Sequence, residues 1–212
     1  MKITILYDNE SRSDELRADW GFSCFVESYG HKLLFDTGTD GSLLLENMKI
    51  LGVDPSSIEE VFISHDHYDH TGGLSAFLNE NEHVKIYVPS TMRDVGPARE
   101  VVYIDKPVEL DEHSYSTGLL RGIEQSLVVK VEKGLVIIVG CSHPGVGAIL
   151  DAASEFGKPH AVIGGLHGFK EFELIKGIQR ICPTHCTQHI TDIRSRYPEK
   201  YIQGGVGTVI EI

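Results

Sequence analysis

The sequence predicts an α/β protein made of two mixed β-sheets packed face to face, with helices on the outer faces. Two observations lead there. The chain opens with strands and short meanders, passes into helix and strand alternation, and then repeats that order. Four times an apolar strand is followed within a few residues by a histidine: Phe62-Ile63-Ser64-His65, Val139-Gly140-Cys141-Ser142-His143, Ile163-Gly164-Gly165-Leu166-His167 and Ile181-Cys182-Pro183-Thr184-His185. Strand ends that carry glycine or proline let side chains converge on one edge of a sheet, where sites commonly form. A length of 212 residues suits one domain spanning 1–212.

Each element has its own signal. Lys2 to Tyr7 and Phe22 to Ser28 alternate as strands, and His31 to Phe35 follows a Tyr-Gly turn and ends in Asp36-Thr37-Gly38. Ser42 to Leu51 carries an apolar stripe of Leu43, Leu44, Met48 and Leu51 that Gly52 stops, which predicts a helix. Glu60 to Ser64 is a short buried-type strand, Gly73 to Leu78 reads as helix, and Val84 to Val88 as a strand closed by Pro89. The stretch 89–123, with prolines at 97 and 107 and short β pieces near Val101 and Val108, is expected to hold a lid or specificity insertion. Ser126 to Val131 and Leu135 to Val139 flank a Glu-Lys-Gly turn as a hairpin. After it come a helix over Val146 to Phe156, a strand over His160 to Ile163 and a helix over Glu171 to Lys176. A strand over Arg180 to Cys182, a helix over Thr187 to Arg196 and a closing strand over Thr208 to Ile212 complete the chain.

Composition narrows the function. Nineteen basic against thirty-one acidic residues leave a net charge of −12, which argues against a surface built to hold nucleic-acid phosphates or anionic lipid. No run approaches the roughly 18 apolar residues of a spanning helix, so no membrane role is expected. The start of the chain lacks the basic and apolar regions of a secretion signal, and the four cysteines are too scattered for a disulfide framework. A reducing cytoplasm is the expected compartment. Histidine is in surplus, with eleven in an acidic chain. His31, His83, His113 and His160 sit in strands or polar turns and need no special role.

The densest group is His65-Asp66-His67-Tyr68-Asp69-His70. In a loop leaving a strand, His65 and His67 can point the same way and share one metal, while Asp69 and His70 turn toward a second position. Imidazoles with a carboxylate suit zinc, and equally iron or manganese.

Taken together, His65-x-His67-x-Asp69-His70, Asp36 after Leu-Leu-Phe, His143, and His185 in Pro-Thr-His resemble the signature of the metallo-β-lactamase superfamily, in its order and over nearly the whole chain. Gly-Cys-Ser-His-Pro-Gly, Gly-Gly-Leu-His-Gly, Pro-Thr-His-Cys-Thr and Glu124-Gln125-Ser126-Leu127 are similar to the subgroup of dihydropterin-ribofuranosyl-aminobenzene phosphate synthase-like proteins. The resemblance implies an αββα sandwich with a metal site, commonly dinuclear, on one edge. Carried over residue by residue, it implies a first metal on His65, His67 and His143 and a second on Asp69, His70 and His185. The family's usual bridging aspartate is replaced here by His167, which ligates one metal alone or contacts substrate. A neutral imidazole cannot bridge as a carboxylate does, so the second site is expected to be weaker. Asp36 is expected to orient the histidine loop by hydrogen bonding. His167, or a residue of the Glu124-Gln125 pair, is expected to position substrate or donate to the leaving group.

The function expected is a metal-dependent hydrolase with one or two zinc ions, using activated water on an ester, phosphoester or similar small molecule, with Asp69 as both ligand and proton acceptor. A synthase acting on a pterin and a phosphorylated riboside, or an iron-dependent oxidoreductase on the same ligands, are the alternatives. Because a bound metal makes its site locally positive, an anionic substrate fits despite the acidic surface.

Overall fold

The computed structural model describes residues 1–212. The chain forms two compact units, one of Met1–Tyr103 with Gly204–Ile212 and the other of Ile104–Gln203. Two mixed sheets with helices are present, as the sequence predicts.

The first sheet contains β1 (Lys2–Tyr7), β2 (Ser23–Ser28), β3 (His31–Phe35), β4 (Glu60–Phe62), β5 (Lys85–Pro89) and β6 (Glu100–Ile104), with β13 (Val209–Glu211) beyond β1. Its β1, β2 and β3 run antiparallel, whereas β3, β4 and β5 run parallel. Parallel neighbours need a crossover, and α1 (Gly41–Ile50) lies in the β3 to β4 connection, with Leu43, Leu44 and Met48 buried. Asp40 begins this helix by accepting hydrogen bonds from the backbone N–H of Ser42 and Leu43 at 2.8 and 3.2 Å. Asn47, buried on the same helix, donates to the carbonyls of Leu6 and Arg17 and accepts from Arg17 N. That clamp holds the irregular segment leading to Trp20. The β4 to β5 connection carries α2 (Tyr68–Thr71) and α3 (Leu74–Glu80). One face of the sheet packs on these helices through Leu6, Leu34, Val61, Ile63, Phe77 and Ile86. The other carries a row of rings in which Phe35 stacks on Phe62 at 5.5 Å and meets Phe22 edge-on at 6.1 Å.

The second sheet contains β7 (Val108–Glu109), β8 (Ser114–Ser116), β9 (Leu127–Val131), β10 (Gly134–Val139), β11 (Pro159–Gly165) and β12 (Arg180–Thr184). The β9–β10 hairpin is antiparallel, and β10, β11 and β12 are parallel. Between β10 and β11, α4 (Val146–Ser154) buries Val146, Ile149 and Ala153. These join Ile137, Val162, Ile175, Ile181 and Ile193 in the unit's core. The segment 89–123 is not free loop: it supplies the end strand of one sheet and two strands of the other.

Two local expectations change. The helix expected at 171–176 is only a 3-10 turn, Phe172–Ile175, because Leu174, Lys176 and Ile178 each donate three residues back and β12 begins at Arg180. The last helix, α5 (Ile190–Arg196), starts three residues late. Thr187 explains this: its N–H and hydroxyl both donate to the Thr184 carbonyl, and its Oγ accepts from Leu166 N, so 185–189 is spent tying the strand end. The short helix α2 was not legible as periodicity.

Gly38 sits at φ +65, and a Cβ there would stand 2.5 Å from the Tyr7 ring. Tyr7 is itself fixed, since its hydroxyl accepts from Asp40 N and donates to Asp19, and burial pushes its pKa up to about 12. Gly38→Ala therefore combines a left-handed backbone penalty with overpacking, and a loss of roughly 2–4 kcal/mol is expected. A urea midpoint unchanged from that of the unsubstituted protein would contradict the close fit.

Candidate metal-ligand clusters

In the first unit the site is built by register. Phe35 on β3 pairs with Phe62 on β4, and Asp36 N donates to the Phe62 carbonyl at 2.9 Å. The residues that follow each strand, Asp36 and Ser64-His65, therefore leave the sheet side by side. Asp36 is fully buried and adopts φ +52. A left-handed aspartate is uncommon, and such strain gathers at sites. Its Oδ1 accepts from Ser64 N at 2.7 Å, and its Oδ2 accepts from Ser64 Oγ at 2.7 Å and pairs with His70 Nδ1 at 2.7 Å. Ser64 Oγ also lies 2.9 Å from His65 Nδ1.

This network sets the tautomers. A carboxylate only accepts, so the Ser64 hydroxyl proton points at Asp36 and Ser64 Oγ accepts from Nδ1–H of His65. His70 likewise carries its proton on Nδ1. Both rings then present Nε2 as a lone-pair donor, as metal-ligating histidines do when their other nitrogen is hydrogen-bonded. His65 Nε2 lies 3.1 Å from His67 Nδ1, and the His65 and His70 rings are 4.2 Å apart. Bonds of about 2.0–2.1 Å to a tetrahedral ion place two nitrogens a little over 3 Å apart, so this donor set fits a borderline divalent cation.

Asp69 and His70 lie on α2, whose first turn closes when His70 N and Thr71 N donate to the His67 carbonyl. The His70 carbonyl accepts from Thr37 N and Thr37 Oγ1 at 2.8 and 2.9 Å, which locks the helix onto the end of β3. Asp69 Oδ2 accepts from the indole Nε1 of Trp20 at 2.9 Å. Trp20 and Ser64 are the parts sequence reasoning missed. Ser64 was visible only as a polar residue inside an apolar strand end, and Trp20, the single tryptophan and 55% exposed, was the signal available for the other.

The second unit repeats the device on three parallel strands. Val139 of β10 pairs with Gly164 of β11, and Gly165 of β11 pairs with Thr184 of β12. Cys141-Ser142-His143, Leu166-His167 and His185-Cys186 consequently leave the sheet on one edge. Ser142, His167 and His185 all take positive φ, at 61°, 46° and 49°. The His143 and His167 rings lie 4.7 Å apart, and His185 is buried. Glu124, fully buried, holds the first of these loops. Its Oε1 accepts from the backbone N–H of Cys141 and Ser142 at 2.9 and 3.1 Å, and its Oε2 from His143 N at 2.9 Å. Gln125, also buried, accepts from Ser116 Oγ at 2.7 Å. Glu124 thus serves the backbone around the histidine, whereas Gln125 holds the side chain of Ser116. His189 caps α5 and pairs with Asp192 at 3.1 Å. Outside these clusters, His31 lies 3.8 Å from Glu59 on the surface, an ordinary pairing.

Two mixed sheets, with groups of side chains that could hold a metal following the carboxyl ends of their parallel strands, define an α/β class of protein. A model of the metallo-β-lactamase superfamily matches residues 21–151, and the chain belongs to that superfamily. It is 29% identical over 229 residues to a 7,8-dihydropterin-6-methyl-4-(β-D-ribofuranosyl)-aminobenzene-5'-phosphate synthase of Methanocaldococcus jannaschii, covering 76% of this chain and 78% of that one. A hydroxyacylglutathione hydrolase of Serratia proteamaculans is 27% identical over 44% of this chain and 35% of its own. Among solved structures, Tm1679, a metal-dependent hydrolase of the β-lactamase superfamily, is 26% identical with a TM-score of 0.81, covering 100% of this chain and 99% of that one. No helix is long and apolar enough to cross a membrane.

Proposed function

We propose that the protein is a metal-dependent hydrolase acting on an ester, phosphoester or related small molecule. The observation that carries this reading is the Asp36–Ser64 network, which turns Nε2 of both His65 and His70 into lone-pair donors, that of His65 lying 3.1 Å from His67 Nδ1. Likeness to Tm1679 over the full chain supports it. In this reading His65 and His67 would hold one ion and Asp69 and His70 a second, with zinc favoured by the donor set and iron or manganese the alternatives. Such an ion supplies Lewis acidity toward a carbonyl or phosphoryl oxygen and activates water.

The chain's own residues do the rest. Asp36 holds His70 upright through Nδ1, and Ser64 does the same for His65. Asp69, partly exposed and steadied by the Trp20 indole, is the carboxylate that accepts the proton of the attacking water. Glu124 holds the three backbone amides that aim His143. The substrate is a small molecule, and an anionic one fits a site whose charge is set by metal. The cytoplasm is the proposed compartment.

A second reading rests on the similarity to the archaeal synthase over three-quarters of the chain: the same centre would act on a pterin and a phosphorylated aminobenzene riboside. One experiment separates the readings. Protein purified without added metal should carry at least one equivalent of zinc, iron or manganese, and His67→Ala, at an exposed position, should lower that content by about one equivalent with little change in stability. A panel of phosphodiesters, thioesters, lactones and reduced pterins should then show turnover that His67→Ala abolishes. Full metal content and full activity in that variant would refute the centre, and turnover of pterin and riboside alone would favour the synthase.

A further inference from the structure

His167 belongs to neither of the two ligand sets just proposed. In the second unit it stands with two thiols, Cys141 and Cys186, and the ligand atoms of the three lie within 4.8 Å of one another. Each follows a different strand of the parallel trio β10, β11 and β12, so the register that aligns those strands also assembles the group. Neither cysteine is in a disulfide.

The surroundings are shaped for the sulfurs. A Cβ on Gly165 would stand 2.6 Å from Cys186 Sγ and 3.2 Å from Cys141 Cα, so only glycine leaves room for that thiol. Cys186 Sγ points back at the Cys141 carbonyl, 3.7 Å away. His167 is held left-handed, with its carbonyl accepting from Gln188 N at 2.8 Å. Cys141 and Cys186 are 3% and 7% exposed while His167 is partly exposed, so the sulfur side is closed and the imidazole side reaches solvent.

We propose that Cys141, His167 and Cys186 form a separate site for a thiophilic divalent cation such as zinc. The charge balances: two thiols lose their protons to solvent on binding, and two thiolates neutralise one divalent ion, so no net charge is buried. Two sulfurs and one nitrogen are a borderline-soft set suited to zinc. Bonds of about 2.3 Å to sulfur and about 2.0–2.1 Å to nitrogen place tetrahedral ligand atoms roughly 3.3–3.8 Å apart, so the three side chains need close by only about 1 Å. The fourth position, on the His167 side, takes water or an exogenous ligand.

The test uses the full chain and cobalt(II) as the probe. Cys186 belongs to no other group of possible metal donors, so a thiolate-to-cobalt charge-transfer band in the near ultraviolet that depends on Cys186 reports this site. The band should saturate at the amplitude of one thiolate-bound cobalt per chain, persist in His67→Ala, and disappear in Cys186→Ser. Mass-spectrometric alkylation of the unsubstituted protein, which needs no variant, should show Cys141 and Cys186 protected together about tenfold or more by zinc. Cobalt binding at saturation with no such band, or a band that survives in Cys186→Ser, would overturn the proposal. Loss of the histidine centre in His67→Ala with the band retained would leave this site standing, so the two ideas fail separately.

Discussion

Glu124→Ala should cost the protein roughly 3–6 kcal/mol, the largest loss expected of any single substitution described. The carboxylate accepts from three consecutive backbone amides, at Cys141, Ser142 and His143, at a position closed to solvent. Each buried donor left without an acceptor costs about 1–3 kcal/mol, and three are orphaned together. Against a total stability of about 5–15 kcal/mol, such a variant is near the limit of folding. Glu124→Gln keeps one acceptor oxygen but sets an amide N–H against a backbone N–H, so an intermediate loss of roughly 2–3 kcal/mol is expected. Denaturant midpoints followed by circular dichroism would rank the three proteins. If the alanine variant fell within 1 kcal/mol of the parent, the loop that carries His143 would have to be held by something else.

Asp36→Ala is the second large effect, with about 3–5 kcal/mol lost. It removes one side of a buried pair with His70 and strands Ser64 and His70 donors in the interior. Alanine also tolerates φ +52 poorly, so the variant mixes two costs. Asp36→Asn separates them, because asparagine accepts a left-handed backbone yet can no longer offer two acceptor oxygens. It should lose roughly 1–3 kcal/mol. On the proposed metal centre, it should also weaken retained metal by about 10–100-fold. Metal content after dialysis against a weak chelator measures the second effect independently of the first. Unchanged metal retention in a folded Asp36→Asn protein would mean that the orientation of His65 and His70 does not depend on Asp36.

Several residues announced themselves without coordinates. The alternation of Lys2–Tyr7 and His31–Phe35, and the stripe of Leu43, Leu44 and Met48, are consequences of two local periodicities, and they appear in the structure nearly residue for residue. The histidine loop was legible because its ligands are contiguous: spacing alone brings His65, His67, Asp69 and His70 within reach of one another. Local signals failed where a longer-range bond took precedence. Thr187 has helical neighbours, but its bonds to Thr184 and Leu166 delay α5. Residues 171–176 are too few between core and strand for more than a 3-10 turn.

What the sequence by itself determined is the donor inventory and its placement: which residue types follow which strands, the glycines and prolines that let them turn, and membership of a family whose members share that order. What only the tertiary structure decided is which of those residues face one another. Parallel pairing of β3 with β4 sets Asp36 beside Ser64, and pairing of β10, β11 and β12 gathers Cys141, His167 and Cys186. Strand register is a nonlocal choice made by packing and hydrogen bonding across tens of residues, so no window of sequence contains it. The roles of Ser64, Glu124 and Trp20, each defined by a partner far away in the chain or by a shared hydrogen, emerge only once that register exists.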